Sequence, residues 1–197
     1  MAEETDPVIE RGFAEEDRTQ VATLCWEAFS GKLSRILGPK DRAVTFVASV
    51  LNPDFGVVAR MAGRVQGVAG WKTAHGQLVG GDLPDLQRVY GSFGGLWRGL
   101  CLAPLERQVE DGILLMDGIC VAPEARGRGL GTALLRAVRE RARADGLRRV
   151  RLDVVDSNPR ARALYEREGF RPVGTSRSGL AARLYGFKAS TRMDASV

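Results

Sequence analysis

One histidine, His75, serves the whole chain of 197 residues. Metal centres built from several imidazoles are thereby excluded, and a nucleophile–histidine–acid triad has a single candidate base. That base sits in the glycine-rich stretch TAHGQLVGGD, where a surface or substrate-loop role suits it better. Cysteine is almost as scarce: Cys25, Cys101 and Cys120 are the three, odd in number and widely spaced. They make neither a disulfide framework nor a zinc site, so no metal is expected and a reducing cytoplasm is the expected setting. No apolar run approaches the roughly 18–20 residues that cross a bilayer. The opening MAEETDPVIE is acidic and has no apolar signal core, so neither secretion nor a membrane partner is expected.

What is present is apolar material and positive charge. Hydrophobic residues make up 44% of the chain, enough for a real core in one domain. The formal net charge of +5 favours anionic partners such as nucleotides, phosphorylated cofactors or nucleic acid.

Hydrophobic periodicity divides the chain. Residues 1–6 read as a disordered N-terminus, 7–190 as a single domain and 191–197 as a C-terminal tail. A short strand is expected over 7–13. A helix over 14–33 carries Val21, Leu24, Cys25 and Ala28 at helical spacing, with Asp17 near its start and Gly31 near its stop. A second helix follows at 41–51, and FGVVARMAGRVQGVAGWK reads as a hairpin turning at AGR. Residues 74–112 mix a helical pattern with glycine and proline and read as a helical insertion. ILLMDGICVAP (113–123) is a strand too apolar to face water on both sides. A helix over 129–146, a strand over 147–156 and a short helix over 158–169 follow. Asn158 caps that short helix and Pro159 opens it. Two closing strands are expected, at 170–178 and 180–189. The fold class is α/β (α+β): a mixed sheet of about six to seven strands flanked by helices, with the insertion before the central strand.

Between the central strand and its helix lies RGRGLG, Arg126 to Gly131. A helix start exposes unpaired N–H groups and partial positive charge, and glycines let a bulky anion approach them. Arg126 and Arg128 add full charges, so the stretch reads as a diphosphate cradle or, more plainly, as a strand-to-helix turn. A P-loop is excluded because no lysine follows. The dinucleotide fingerprint fits less well: the third glycine comes one residue early, although Asp153 or Asp156 stands at the expected acidic position.

ICVAPEARGRGLGTALL followed by VRLDVVDSNPRARALYEREGF resembles the GNAT superfamily of acetyl-CoA-dependent N-acetyltransferases over residues 113–172. Arg126-Gly127-Arg128-Gly129-Leu130-Gly131 matches each specified position of the family's [QR]-x-x-G-x-[GA]. Asn158, Tyr165 and Gly169-Phe170 follow in the family's order. The resemblance implies a splayed sheet whose gap admits the pantetheine arm of acetyl-CoA, the co-substrate. It implies backbone contacts from Ile119 and Val121, and diphosphate binding along Gly127, Arg128, Gly129, Leu130, Gly131 and Thr132. It further implies a pantetheine contact from Asn158 and protonation of the leaving thiolate by Tyr165. Residues 74–112 depart from the compact family pattern.

Transfer to an amine needs a proton acceptor, since a free amine has a pKa near 10. Asp117 and Asp153 are the candidates. Strand alternation puts Asp117 on one face with Ile119 and Val121 and turns Cys120 to the other, which favours direct attack in a ternary complex over an acetyl-cysteine. Mutual repulsion of two facing carboxylates would raise one pKa. Trp26, Phe29 and the insertion are candidate walls of the acceptor pocket. The expected function is acetyl transfer from acetyl-CoA to a primary amine of a small molecule, peptide or protein. A non-catalytic acyl-CoA sensor is the alternative from another class, and a homodimer stays open. RAVRERARADGLRRVR suggests nucleic acid, but without interleaved aromatics it reads as a solvated helix face.

Overall fold

The computed structural model describes residues 7–179 and 182–197; the expected disorder of residues 1–6 lies outside them. Strand β1 (Val8–Arg11) leads through a 3-10 turn into helices α1 (Arg18–Leu37) and α2 (Lys40–Val50). Helix α1 runs past Gly31, where no neighbouring atom would meet a Cβ, to an end at Gly38. Asp17 precedes α1 without capping it by side chain; its carboxylate instead takes Arg60 at 2.7 Å, which holds its pKa below the usual carboxylate range. Strands β2 (Gly56–Met61) and β3 (Arg64–Thr73) form the expected hairpin, turning on the positive φ of Ala62 and Gly63.

The insertion supplies a two-residue strand β4 (Gly76–Gln77) and helices α3 (Leu83–Tyr90) and α4 (Ser92–Leu102). Asp82 and Asp85 form a reciprocal capping box at the start of α3. Gly95 lets α4 lie against α3, because a Cβ there would stand 2.6 Å from the Gln87 backbone. The Tyr90 hydroxyl donates to the Leu37 carbonyl at 2.7 Å and ties α3 to α1.

Strand β5 (Ile113–Val121), helix α5 (Leu130–Ala144), strand β6 (Arg149–Val155) and helix α6 (Pro159–Arg167) follow. Helix α5 buries Leu130, Leu134, Leu135, Val138 and Ala142 against the sheet, an apolar stripe of 3.6 period. Strand β7 (Arg171–Arg177) comes next. The expected closing strand at 180–189 is corrected. Within its described part the chain forms a short helix α7 (Ala182–Tyr185), stopped by Gly186 at φ 70 and anchored by the Tyr185 hydroxyl donating to the Cys101 carbonyl at 3.1 Å. The strand lies further on, β8 (Ala189–Ser196), so residues expected as a tail are sheet. They are held because β8 pairs with β6 on one side and β7 on the other and buries Met193 and Ala195.

The sheet order is β1-β2-β3-β5-β6-β8-β7, with β4 on β3. All neighbours are antiparallel except β5 and β6. These two are parallel and pair only over Ile113–Leu115 and Arg149–Arg151; beyond that they part while both continue.

Candidate active site

The parting of β5 and β6 exposes backbone. The Ala122 N–H donates to the Gln66 carbonyl of the β3 side at 2.8 Å. By alternation the polar groups of Cys120 and Gly118 also turn to β3, and those of Ile119 and Val121 turn away, into the gap. The Val121 carbonyl accepts from Arg126 Nε at 3.1 Å, which agrees with that direction. A carbonyl has a second lone pair, so the contact does not exhaust it.

A cleft of about 640 Å³ runs from this edge to the start of α5, lined by Ile119, Cys120, Val121, Arg126, Leu130 and Thr132 together with Asn158 and residues of α6. Gly127 and Gly129 both have φ 80, left-handed backbone that side chains resist, and space around each is open to 4 Å. The first helical bond of α5 is Ala133 N–H to the Gly129 carbonyl, which leaves the N–H groups of Gly129 to Thr132 without intrahelical partners. No side chain caps this start. Arg128 is exposed. Arg160 and Arg167 join Arg126 in the lining, against one acid among the described residues, Glu27. Sequence reasoning missed both arginines. Their signal was there: 160, 164 and 167 fall on one face of α6. Free N–H donors, glycines without obstruction and three cations suit a phosphorylated ligand such as CoA.

Asn158 Oδ1 accepts from the Ala161 N–H at 3.1 Å and caps α6, so its side-chain amide N–H groups are what remains for a ligand. Tyr165 is 5% exposed and packs on Phe170. Burial, with a smaller push from neighbouring Cys120, holds its phenol well above the ordinary value, so it stays protonated.

Strand alternation fails at Asp117. Trp71 pairs with Met116 and Gly70 with Gly118, so Asp117 is an extra residue, a β-bulge. Trp71, the partner of Met116, lies under Arg141 of α5, and Gly67, the partner of Val121, faces Leu134 of α5. Met116 and Val121 therefore face α5 together although five residues apart. Gly118 faces the other way, where a Cβ would stand 2.3 Å from Phe29, and Cys120 shares that side. Asp117 lies there too, in a cavity with Phe29. The expectation that Asp117 shares a face with Ile119 and Val121, opposite Cys120, is thus corrected: the bulge resets the period. Cys120 stands on the side of Asp117 and in the lining of the cleft, so alternation no longer argues against an acetyl-cysteine.

This second cavity, about 580 Å³, is walled by Trp26 and Phe29 of α1 and by the insertion helices α3 and α4. Asp117 stands in its lining, near the bulge. Its Oδ1 accepts from Arg107 Nη2 at 3.0 Å, and its Oδ2 is buried without a hydrogen-bond partner. Burial pushes the Asp117 carboxyl up, and Arg107 and Lys72 pull it partly back. Asp153 is outside that lining. It accepts from Arg107 Nη1 at 3.2 Å and has Arg192 at 3.6 Å. The two carboxylates are thus joined by one guanidinium, and desolvation, not their mutual repulsion, is the main cause of Asp117's shift. Arg107 was not legible in the sequence. Among the described residues no group of side chains could hold a metal, and no helix is long and apolar enough to cross a membrane.

The family described as acetyltransferase (GNAT) family matches residues 54–170. A mycothiol acetyltransferase of Beutenbergia cavernae is 55% identical over 53 residues, 27% of this chain and 18% of that protein. The uncharacterized N-acetyltransferase YobR of Bacillus subtilis is 40% identical over 65 residues, 33% of this chain and 26% of that one. The chain thus spans about a quarter or less of the curated relatives it matches. The crystal structure of a ribosomal-protein-alanine N-acetyltransferase from Brucella melitensis superposes with a TM-score of 0.64 at 18% identity, covering 96% of this chain and 99% of that one.

Proposed function

The chain belongs to the GNAT acetyltransferase family, and from that premise we propose that it transfers an acetyl group from acetyl-CoA to a primary amine by direct attack. The observation that carries the reading is the parting of β5 and β6 beyond Leu115 and Arg151, which leads an open strand edge to the unpaired N–H groups of α5. Bound acetyl-CoA supplies an activated acyl thioester. In this reading the N–H groups of Gly129 to Thr132 and the arginines Arg126 and Arg128 hold its diphosphate. The polar groups of Ile119 and Val121 hold its pantetheine arm, with Asn158 donating from the far wall. Asp117, in the lining of the neighbouring cavity, accepts the proton of the incoming amine, directly or through water, and its raised pKa makes it a stronger base than an exposed carboxylate. Asp153 acts behind it by sharing Arg107. Tyr165, held protonated by burial, supplies the proton to the departing thiolate. The same reading sets the protein in a reducing cytoplasm, where its three cysteines need no disulfides.

The test is acetyl-CoA turnover with a library of primary amines, read as released thiol and as product mass. Products heavier by one acetyl group, with the protein's own mass unchanged by acetyl-CoA alone, are expected. Tight acetyl-CoA binding without turnover of any amine would make the protein a sensor, and a competent acetyl adduct on Cys120 would replace direct attack by a covalent route.

A further inference from the structure

The second cavity differs from the first in chemistry. Its walls are mostly carbon: Trp26 and Phe29 from α1, Phe46 from α2, Leu86 from α3, and Leu96 and Leu100 from α4. Leu96 and Leu100 are also 47% and 69% exposed, so apolar surface continues out of the mouth. Two cations are among its described lining residues, and each is committed: Lys72 to Glu106 at 3.2 Å, and Arg107 to Asp117 and Asp153. No cation in that lining is left to receive a substrate carboxylate or phosphate. The carboxylates Asp82, Glu106 and Asp117 outnumber the cations, which suits a substrate entering as an ammonium. The wall is built rather than loose, since Tyr90 ties α3 to α1 and Gly95 seats α4 directly on α3.

Resting on the acetyltransferase reading, we infer that the acceptor is an amine with a bulky apolar body and no acidic group, an alkylamine or arylalkylamine, and not an amino acid, a polyamine or an aminosugar. The cavity volume is that of a site for one small molecule. The amine end lies toward Asp117 at the bulge, two residues along β5 from Ile119 of the first cavity, and the apolar body lies between α1, α2 and the insertion helices. The insertion, which the compact family pattern lacks, is then the specificity element.

The experiment is calorimetric titration of the protein with n-butylamine through n-decylamine, 4-phenylbutylamine and spermidine, with acetyl-CoA turnover measured on the same samples. Affinity is expected to rise about fourfold per added methylene until the cavity is full, with spermidine weaker than an alkylamine of equal length. Gly99→Leu tests the location. Gly99 lines the cavity, and a Cβ there meets Leu83 and Leu86 at ordinary distances of 3.5 and 3.8 Å, so the helix tolerates it. The variant should bind butylamine like the wild type, lose at least tenfold for octylamine and keep its acetyl-CoA affinity. A flat alkylamine series, or spermidine binding best, overturns the inference. The two readings fail separately: hydrophilic amines acetylated in preference to alkylamines would sink this inference and leave the acetyltransferase standing. Alkylamines bound along the expected series but never acetylated would do the reverse.

Discussion

Replacing Arg107 by methionine should move the acid side of the pH–rate profile upward and leave its plateau in place. Arg107 Nη2 stands 3.0 Å from Asp117 Oδ1, and Asp117 is already pushed up by burial, with Arg107 the first of the groups opposing it. At an effective dielectric of about 20, a pair of unit charges 4 Å apart is worth about 4 kcal/mol, which corresponds to about 3 pH units. That figure is an upper bound. The two side chains are 24% and 21% exposed, and Lys72 still acts on the carboxylate, so a rise of about one to two pH units is expected. The sign follows from the role. A base works only when ionised, so raising its pKa removes activity on the acid side of the profile and restores it at higher pH. The assay is kcat/KM for one alkylamine against pH in wild type and variant; the amine's own ionisation, near 10, is common to both and cancels in the comparison. Asp153→Asn is the control, because it leaves Arg107 to Asp117 alone and should hold the acid limb at or below its wild-type position. A uniform loss at every pH, or an unmoved limb with full activity, would refute Asp117 as the base.

Three further outcomes are expected. Gly129→Val and Gly131→Val should each weaken acetyl-CoA binding at least tenfold, about 1.4 kcal/mol; the first also forces a branched residue onto φ 80 and the second meets Leu164 at 3.0 Å. Unchanged calorimetric affinity in folded variants would remove the cradle. Tyr165→Phe should lower kcat on the order of 10²-fold while acetyl-CoA affinity holds; wild-type turnover with chemistry rate-limiting would end its role as acid. Leu134→Ala removes a side chain with 0% exposure from beneath α5 and should cost about 2–5 kcal/mol in denaturant unfolding; a loss under about 1 kcal/mol would mean that α5 does not seal the core as described.

The central part of the fold was legible because local signals agreed there. The apolar run of β5, the 3.6-residue stripe of α5 and the Asn158-Pro159 start of α6 each name their own conformation. The bulge was not legible: in MDGIC neither face carries a run of polar residues that would betray an added residue, so simple alternation put Asp117 on the wrong side. LAARLYGFKA reads as a closing strand, and tertiary anchoring of Tyr185 on the Cys101 carbonyl decides for a turn of helix instead. Arg107 was invisible for another reason. Its partners lie 10 and 46 residues away, and no spacing rule links an arginine near the end of the insertion to two strands that only the folded sheet brings together.

The position of β8 between β6 and β7 has a consequence for the order in which the molecule is made. When residues 149–155 leave the ribosome, one flank of β6 holds a short parallel pairing with β5 and the other has no strand beside it. The strand that fills that place begins at Ala189. At about 5–20 residues per second, the intervening stretch takes on the order of two to seven seconds to appear. Through that interval β6 has an uncovered edge, the kind of edge to which other strands attach.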